Sequence, residues 1–253
     1  MVLGLMQPYF FPYLGYFELL YRADCWVAFD TAQYIRRGWI NRNRILHPVE
    51  GWTYITMPVR KHRRDTPIAD ILIADDSAWR RRIEGQLLHY RRHAPHFEPV
   101  LALVRDCLAV EETSVSRLNV AILEKTCRFV GIPLTSRFLS EMNVKLGPID
   151  QPSDWGLRLG EALHATEYVN APGGRDLYDA AKFAAHGIGL TILSSVTWRY
   201  DTPGYRFEPS LSILDTLMWN SPDAVREILN TRLNAASRAQ LAARRSTAQE
   251  QGN

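Results

Sequence analysis

The order of apolar and polar stretches lays out most of the chain's elements. Val2 to Met6 is a short apolar run stopped by Gln7-Pro8, which predicts a buried strand. The aromatic loop Tyr9-Phe10-Phe11-Pro12-Tyr13 separates it from Leu14 to Tyr21, read as a helix. Cys25 to Phe29 reads as a second strand, with Asp30 at its carboxyl end. This order predicts the opening of a parallel α/β sheet, with Gln7 and Asp30 at the same end of neighbouring strands. Three β-like runs follow, Trp39 to Leu46, Trp52 to Val59 and Ile68 to Ile73. Gly51 and Pro67 punctuate them, and an antiparallel meander is expected.

From Ser77 to Cys127 the pattern becomes helical. Asp76 or Ser77 is placed to cap a helix carrying Trp79, Ile83, Leu87 and Tyr90 at helical spacing. Pro95 ends it, and Phe97 to Leu108 and Ser116 to Val130 follow, the latter closed by Gly131-Ile132-Pro133. The last third returns to mixed character. Helix Asp154 to His164, strand Tyr168 to Asn170, the turn Ala171-Pro172-Gly173-Gly174, helix Leu177 to His186 and strand Leu190 to Ser194 come in turn. Ser210 to Asn220 and Pro222 to Leu229 read as closing helices. The fold class is mixed α/β: a parallel core, an antiparallel meander and an inserted helical middle over 77–130. One domain spanning 1–237 is expected, and 238–253, poor in apolar periodicity, reads as a flexible tail.

Composition narrows the function classes. With 46% hydrophobic and 23% charged residues the chain reads as ordinary globular, and a net charge of +3 does not argue for nucleic-acid binding. The three cysteines, Cys25, Cys107 and Cys127, lack any CxxC pairing and fall in apolar runs. They predict a reducing, cytoplasmic setting, with neither a disulfide framework nor a cysteine nucleophile. No stretch approaches the ~20 apolar residues of a membrane span. Of the seven histidines, only His89 and His93 have i, i+4 spacing, and Arg91 and Arg92 crowd them, so no metal site is expected. Walker, GxGxxG and GxSxG patterns are absent, and no cofactor is called for.

The richest chemistry lies in Gln33 to Arg44, which places four arginines, two asparagines and Trp39 in twelve residues. Asn41-Arg42-Asn43 supplies fixed amide and guanidinium hydrogen bonds, and Trp39 a flat face, a combination suited to an anionic or carbonyl-bearing ligand. The segment Gln7 to Phe17 is more aromatic than a core requires, and Tyr9 and Tyr13 beside Gln7 are the rings expected in a pocket. The Pro172-Gly173-Gly174-Arg175-Asp176 turn has two readings: an anion-binding loop helped by Arg175, or a plain turn with Asp176 capping the next helix. Asp215, inside an apolar helix, needs a partner, either Arg42 or Arg44, or a ligand.

Three blocks resemble the WbqC-like proteins of bacteria. They are Met6 to Phe17; Asp30 to Gln33 with Arg36 to Asn43; and Asn170 to Gly174, Leu177-Tyr178-Asp179 and Phe207 to Asp215. The resemblance spans the chain to about Asn230. It implies a link to surface-polysaccharide clusters, including O-antigen, or to specialised metabolites, with some relatives described as glycine transferases or modifiers of amino sugars. It carries no set of catalytic residues. Relatives commonly read Asp-Asp-Val-Gln where this chain has Asp30-Thr31-Ala32-Gln33, so a role for their second aspartate does not transfer.

Residues and resemblance together predict a metal-independent transferase. It would move an acyl or aminoacyl group, such as glycyl, onto an amine of a nucleotide-linked sugar or related small molecule. Asp30 is the expected general base, Asn41 and Asn43 the holders of the carbonyl or oxyanion, and Arg42 the phosphate or carboxylate anchor. Gln7, Tyr9, Tyr13, Gln33, Tyr34, Arg37, Trp39, Gly173, Gly174, Arg175, Tyr178 and Asp215 are the expected substrate contacts. The donor is expected as an acyl-CoA or a carrier-bound acyl group, and a homodimer is compatible with the helical middle. The rival readings are a non-catalytic binding or assembly protein using the same cleft, and a degenerate nucleotidyltransferase-like enzyme.

Overall fold

The computed structural model describes residues 1–74, 76, 78–195 and 197–233. The tail 238–253 and the helix cap at Ser77 lie outside the described residues. Five parallel strands form the main sheet: β1 (Val2–Met6), β2 (Cys25–Ala28), β5 (Ser136–Phe138), β6 (Glu167–Asn170) and β7 (Gly189–Ile192), in the order β5-β2-β1-β6-β7. Between β2 and β5 the chain inserts an antiparallel pair, β3 (Arg42–Leu46) and β4 (Trp52–Thr56). The same insertion carries helices α2 (Trp79–Leu87), α3 (Phe97–Leu108) and α4 (Val115–Val130). Helix α1 (Leu14–Arg22) crosses from β1 to β2, α5 (Asp154–Ala162) leads to β6, and α6 (Ala180–Ala185) leads to β7. The described residues end with α7 (Ile213–Trp219) and a helical stretch over 222–233, here α8.

The sheet is buried on both faces, as expected of parallel strands flanked by helices. In β1, Leu3 and Leu5 join Val27, Leu157, Tyr168 and Phe183 on one face. Trp26 and Ala28 of β2 turn the other way, into a larger aromatic core with Phe10, Phe17, Trp79 and Tyr90. Gly4 lets α1 approach the sheet: a Cβ there would sit 2.9 Å from Leu19 Cδ2. Gly131 ends α4 at φ 78°, a left-handed conformation that favours glycine.

Three expectations are corrected. The run Ile68 to Ile73 is not a third meander strand: Ile68–Asp70 is a 3₁₀ turn, and the rest contributes isolated bridges through Ile73 and Leu72. Ile68 and Ile71 are both buried, and their spacing of three suits that turn better than a strand. Helix α6 begins at Ala180, where the Asp179 side chain accepts the Ala181 N–H at 2.8 Å, so Asp179 and not Asp176 is the cap. Strand β5 is absent from the sequence reading, because Ser136-Arg137-Phe138 is short and largely polar.

The sheet order reverses between β1 and β6, where one chain direction leads to β2 and the other to β7. In open α/β sheets the crevice beyond the strand carboxyl ends at such a point is where ligands bind. Here that crevice is walled by the loops after Met6 and Asn170.

Candidate functional site

A cleft of about 320 Å³ opens at this point, with Tyr9 and Tyr13 from the first loop and Pro172 and Gly173 from the second on its walls. Trp39 and Arg44 close one side, and Ser194, Trp198, Tyr200 and Phe207 another. Glu18 of α1 and Arg232 of α8 also line it.

The aromatic loop is set by backbone ties. Phe10 N–H donates to Trp39 O (2.9 Å), Ile213 N–H to Pro12 O (2.8 Å), and Ser212 Oγ to Phe11 O (2.8 Å). Asn119 of α4 donates from one amide to both Pro8 O (2.8 Å) and Ile40 O (2.7 Å), so a single side chain fixes the spacing of the two loops. Phe11 at φ 41° and Ser210 at φ 55° occupy left-handed backbone that non-glycine residues seldom adopt, and both lie beside the cleft.

Arg44 is the cationic centre. Its guanidinium lies 5.3 Å from the Trp39 ring and 5.0 Å from Trp52, and one Nη donates to Ser210 O at 3.2 Å. Its Nε is buried without a hydrogen-bond partner among the described residues. A buried donor left unmatched favours a ligand oxygen. Opposite, Glu18 accepts from Arg232 Nε at 2.6 Å, and Arg232 also donates to Ser194 O at 3.1 Å.

Asp215 pairs with neither Arg42 nor Arg44; that expectation is overturned. It accepts from Tyr90 (2.6 Å), Tyr200 (2.7 Å) and Trp219 Nε1 (3.4 Å), three neutral donors that stabilise a carboxylate in an apolar helix without a counter-ion. Burial outweighs those donors and pushes its pKa up to about 6. Burial and the Asp215 charge push the Tyr200 hydroxyl far above its ordinary value, so it is a neutral hydroxyl whose proton points at the carboxylate. Thr216, another residue of the cleft wall, has its hydroxyl 3.4 Å from that of Tyr200. Burial, chiefly, also raises Tyr9 and Tyr13.

The structure brings Tyr9, Tyr13, Trp39, Asn43 and Gly173 together on the cleft and places the other expected residues elsewhere. Asn43 spends its amide within the protein, donating to Phe10 O (3.1 Å) and accepting from Arg44 N–H (2.8 Å). Asn41 accepts from Tyr34 (2.8 Å) and donates to Met57 O (2.8 Å), which occupies both residues away from the cleft. Arg42 stacks on Tyr54 with its guanidinium 4.0 Å from the ring and donates to Gly38 O and Arg37 O, holding the turn that exposes Arg37. Asp30, at the end of β2, is 1% exposed and accepts from Ser140 N–H (2.9 Å) and Ser140 Oγ (2.6 Å). That geometry gives it a framing task outside the cleft lining. Gln7 offers its backbone carbonyl to Tyr16 (2.7 Å), and Gln33 donates to Arg64 O (2.6 Å). Tyr178 joins Tyr168 and Asn170 in a hydroxyl–amide cluster against which Gly174 packs, since a Cβ at Gly174 would lie 2.8 Å from the Tyr178 ring. Arg175 ends that turn, exposed.

Arg44, Glu18, Arg232, Ser194 and Tyr200 were missed as site residues, Arg44 although it ends the Gln33 to Arg44 stretch. Glu18 was hidden in a helix read only for its apolar face, Ser194 ends a run read only as a strand, and Tyr200 lies on a stretch with no periodicity. A carboxylate flanked by Phe17 and Leu19 was the one signal available for Glu18.

The WbqC-like protein family matches residues 7–227. "Uncharacterized protein Rv1507c" of Mycobacterium tuberculosis (strain ATCC 25618 / H37Rv) is 32% identical over 237 residues, covering 88% of this chain and 96% of its own. No solved structure matches the chain. Both block order and match length agree: the chain belongs to the WbqC-like protein family.

Proposed function

We propose that the protein is a transferase that moves an acyl or aminoacyl group onto the amine of a nucleotide-linked sugar or related small molecule bound in this cleft. One observation carries the reading: Arg44, whose Nε is unmatched, and Tyr200, which donates to the buried Asp215 behind it, line the same cleft. Arg44 holds a phosphate or carboxylate, and Trp39 and Tyr9 cover the flat faces of the ligand. As the neutral amine attacks the donor carbonyl, a C–N bond forms and the donor's leaving group departs. The amine proton passes to Tyr200 Oη while the Tyr200 proton moves to Asp215, a carboxylate at neutral pH. Trading Asp30 for this relay is the principal revision of the sequence reading.

The test is a thermal-shift screen of nucleotide sugars, acyl-CoAs, amino acids and their adenylates, followed by turnover assays on each pair of hits. A binder stabilises the native state by mass action. The reading expects hits that vanish in Arg44→Ala, and turnover that vanishes in Tyr200→Phe while binding survives. Binding with no turnover in any donor–acceptor pair favours the non-catalytic assembly reading. The strand order, with its nucleotide-type crevice, supports a second enzyme reading, a nucleotidyltransferase-like reaction. Release of pyrophosphate from a nucleoside triphosphate would select that one.

A further inference from the structure

A second feature lies on the loops behind Trp39. The segments 33–38 and 60–66 are stitched together: Gln33 Nε2 donates to Arg64 O, Tyr34 N–H to Thr66 O (2.9 Å), and the Tyr34 ring meets the His62 ring edge-on at 4.8 Å. Together they display Arg36, Arg37, Lys61, Arg63 and Arg64, all exposed. Asp65, beside Arg63, is the one carboxylate in these two segments. Five cations against one anion exceed the chain's whole net charge of +3, so the remainder of the chain is acidic on balance. Two aliphatic side chains flank the patch. Ile35 stands 61% exposed at the first position of the Ile35–Gly38 turn, and Leu72, 38% exposed, lies beside Arg60, whose N–H donates to Leu72 O at 2.9 Å.

We propose that this patch docks the protein on an anionic phospholipid surface, with Ile35 entering the headgroup–acyl boundary and the cations seated among the lipid phosphates. The physical reasons are specific. Clustered Lys and Arg gain attraction to an anionic leaflet roughly one charge at a time, and an exposed aliphatic side chain finds an apolar phase there. Single-stranded RNA would call for exposed rings to stack its bases, and this patch presents Ile35 and Leu72 instead. The turn is joined to the cleft through Gly38, the residue before Trp39, so docking holds that cleft wall close to the lipid surface.

The experiment is co-sedimentation of the full chain with vesicles of phosphatidylcholine alone or with about one third phosphatidylglycerol, at about 0.1 M and about 0.5 M salt. Binding is expected to the anionic vesicles alone, and to fall steeply at the higher salt. The triple variant K61E/R63E/R64E should bind about a hundredfold more weakly or worse, and Ile35→Ser about fivefold more weakly. All five side chains exchanged or flanking there are on exposed loops, and matching circular dichroism and melting temperatures establish that the variants are folded. Absence of sedimentation with anionic vesicles, or sedimentation untouched by the triple variant, overturns the proposal. Unchanged binding by Ile35→Ser overturns the insertion of Ile35. Capture of single-stranded RNA or of a purified acidic carrier protein through the same lysine and arginines, without lipid binding, also overturns it.

Discussion

Asp215 shows how much depends on which neighbour a single side chain finds. Ringed by Tyr90, Tyr200 and Trp219, it is held by neutral donors, and burial keeps its pKa at about 6 against the ordinary 3.8. The carboxyl therefore binds its proton more tightly in the folded chain than in the unfolded one. The stability this gives is complete below about pH 4 and is lost as pH rises through 6, by about 3 kcal/mol. Asp215→Asn should abolish that slope, seen as a difference between wild-type and variant unfolding free energies measured at pH 4 and pH 7. Activity should run the other way, because the relay requires the carboxylate: turnover rises with pH through about 6. Opposite signs separate a catalytic from a purely structural Asp215. Tyr200→Phe removes one donor, so about 1 kcal/mol of stability is expected to go, against a loss of about a hundredfold or more in turnover. For Arg44, Lys should not substitute: an ammonium cannot lie flat between Trp39 and Trp52 and still present the Nε edge. A ligand-induced thermal shift retained by Arg44→Lys would remove Arg44 as a planar anchor.

Among the elements, α4 is the one that sets the cleft without touching it. Asn119 is fully buried, and its Nδ2 serves Pro8 O and Ile40 O, which belong to the two loops that deliver Tyr9 and Trp39. Asn119→Ala strands two carbonyls, so a destabilisation of about 2–3 kcal/mol is expected in urea unfolding. If the cleft works as a ligand site, KM should rise more than kcat falls, since what loosens is loop spacing and not the relay. Sequence periodicity revealed α3, α4, α5, β1, β2, β6 and β7 with small boundary shifts, because each has an apolar face long enough to imprint its period. It did not reveal β5, which is three residues long and takes its place only through pairing with Trp26–Ala28. The site was legible to the same degree. Tyr9 and Tyr13 stood out as an aromatic excess and Trp39 as a flat face beside the arginines, whereas the Asn41-Arg42-Asn43 motif drew attention to side chains whose bonds are made inward. Sequence marks unusual residue types, but an amide committed to a loop carbonyl and one aimed at a ligand look alike until the partner 33 positions away, as with Asn43 and Phe10, is placed.

At the scale of the whole molecule, the first helix and the last described helix meet at the cleft. Arg232 of α8 reaches Glu18 of α1 across 214 positions, and the same guanidinium holds Ser194 O at the end of the β7 loop. Tyr21 and Asn230 join the same two helices, and Arg226 donates to Val130 O at the end of α4. Helix α8 thus ties together α1, the loop after β7 and the end of α4. Glu18 is 8% exposed and the Arg232 side chain 19%, so the pair is partly desolvated and each charge relies on the other. Glu18→Ala leaves the guanidinium short of its counter-ion, and a destabilisation of about 2 kcal/mol is expected after allowing for the remaining exposure. Arg232→Ala should lose a similar amount, and the double variant much less than the two combined, because a neutral pair leaves no stranded charge. A double-mutant cycle in urea with a coupling near zero would mean that α8 is held by its apolar face and its other hydrogen bonds, without this ion pair. A coupling of about 1–2 kcal/mol would show that the ion pair itself holds α8 to α1. Ligand-dependent protection of α8 from proteolysis would then be expected, since Glu18 and Arg232 both border the space the ligand fills.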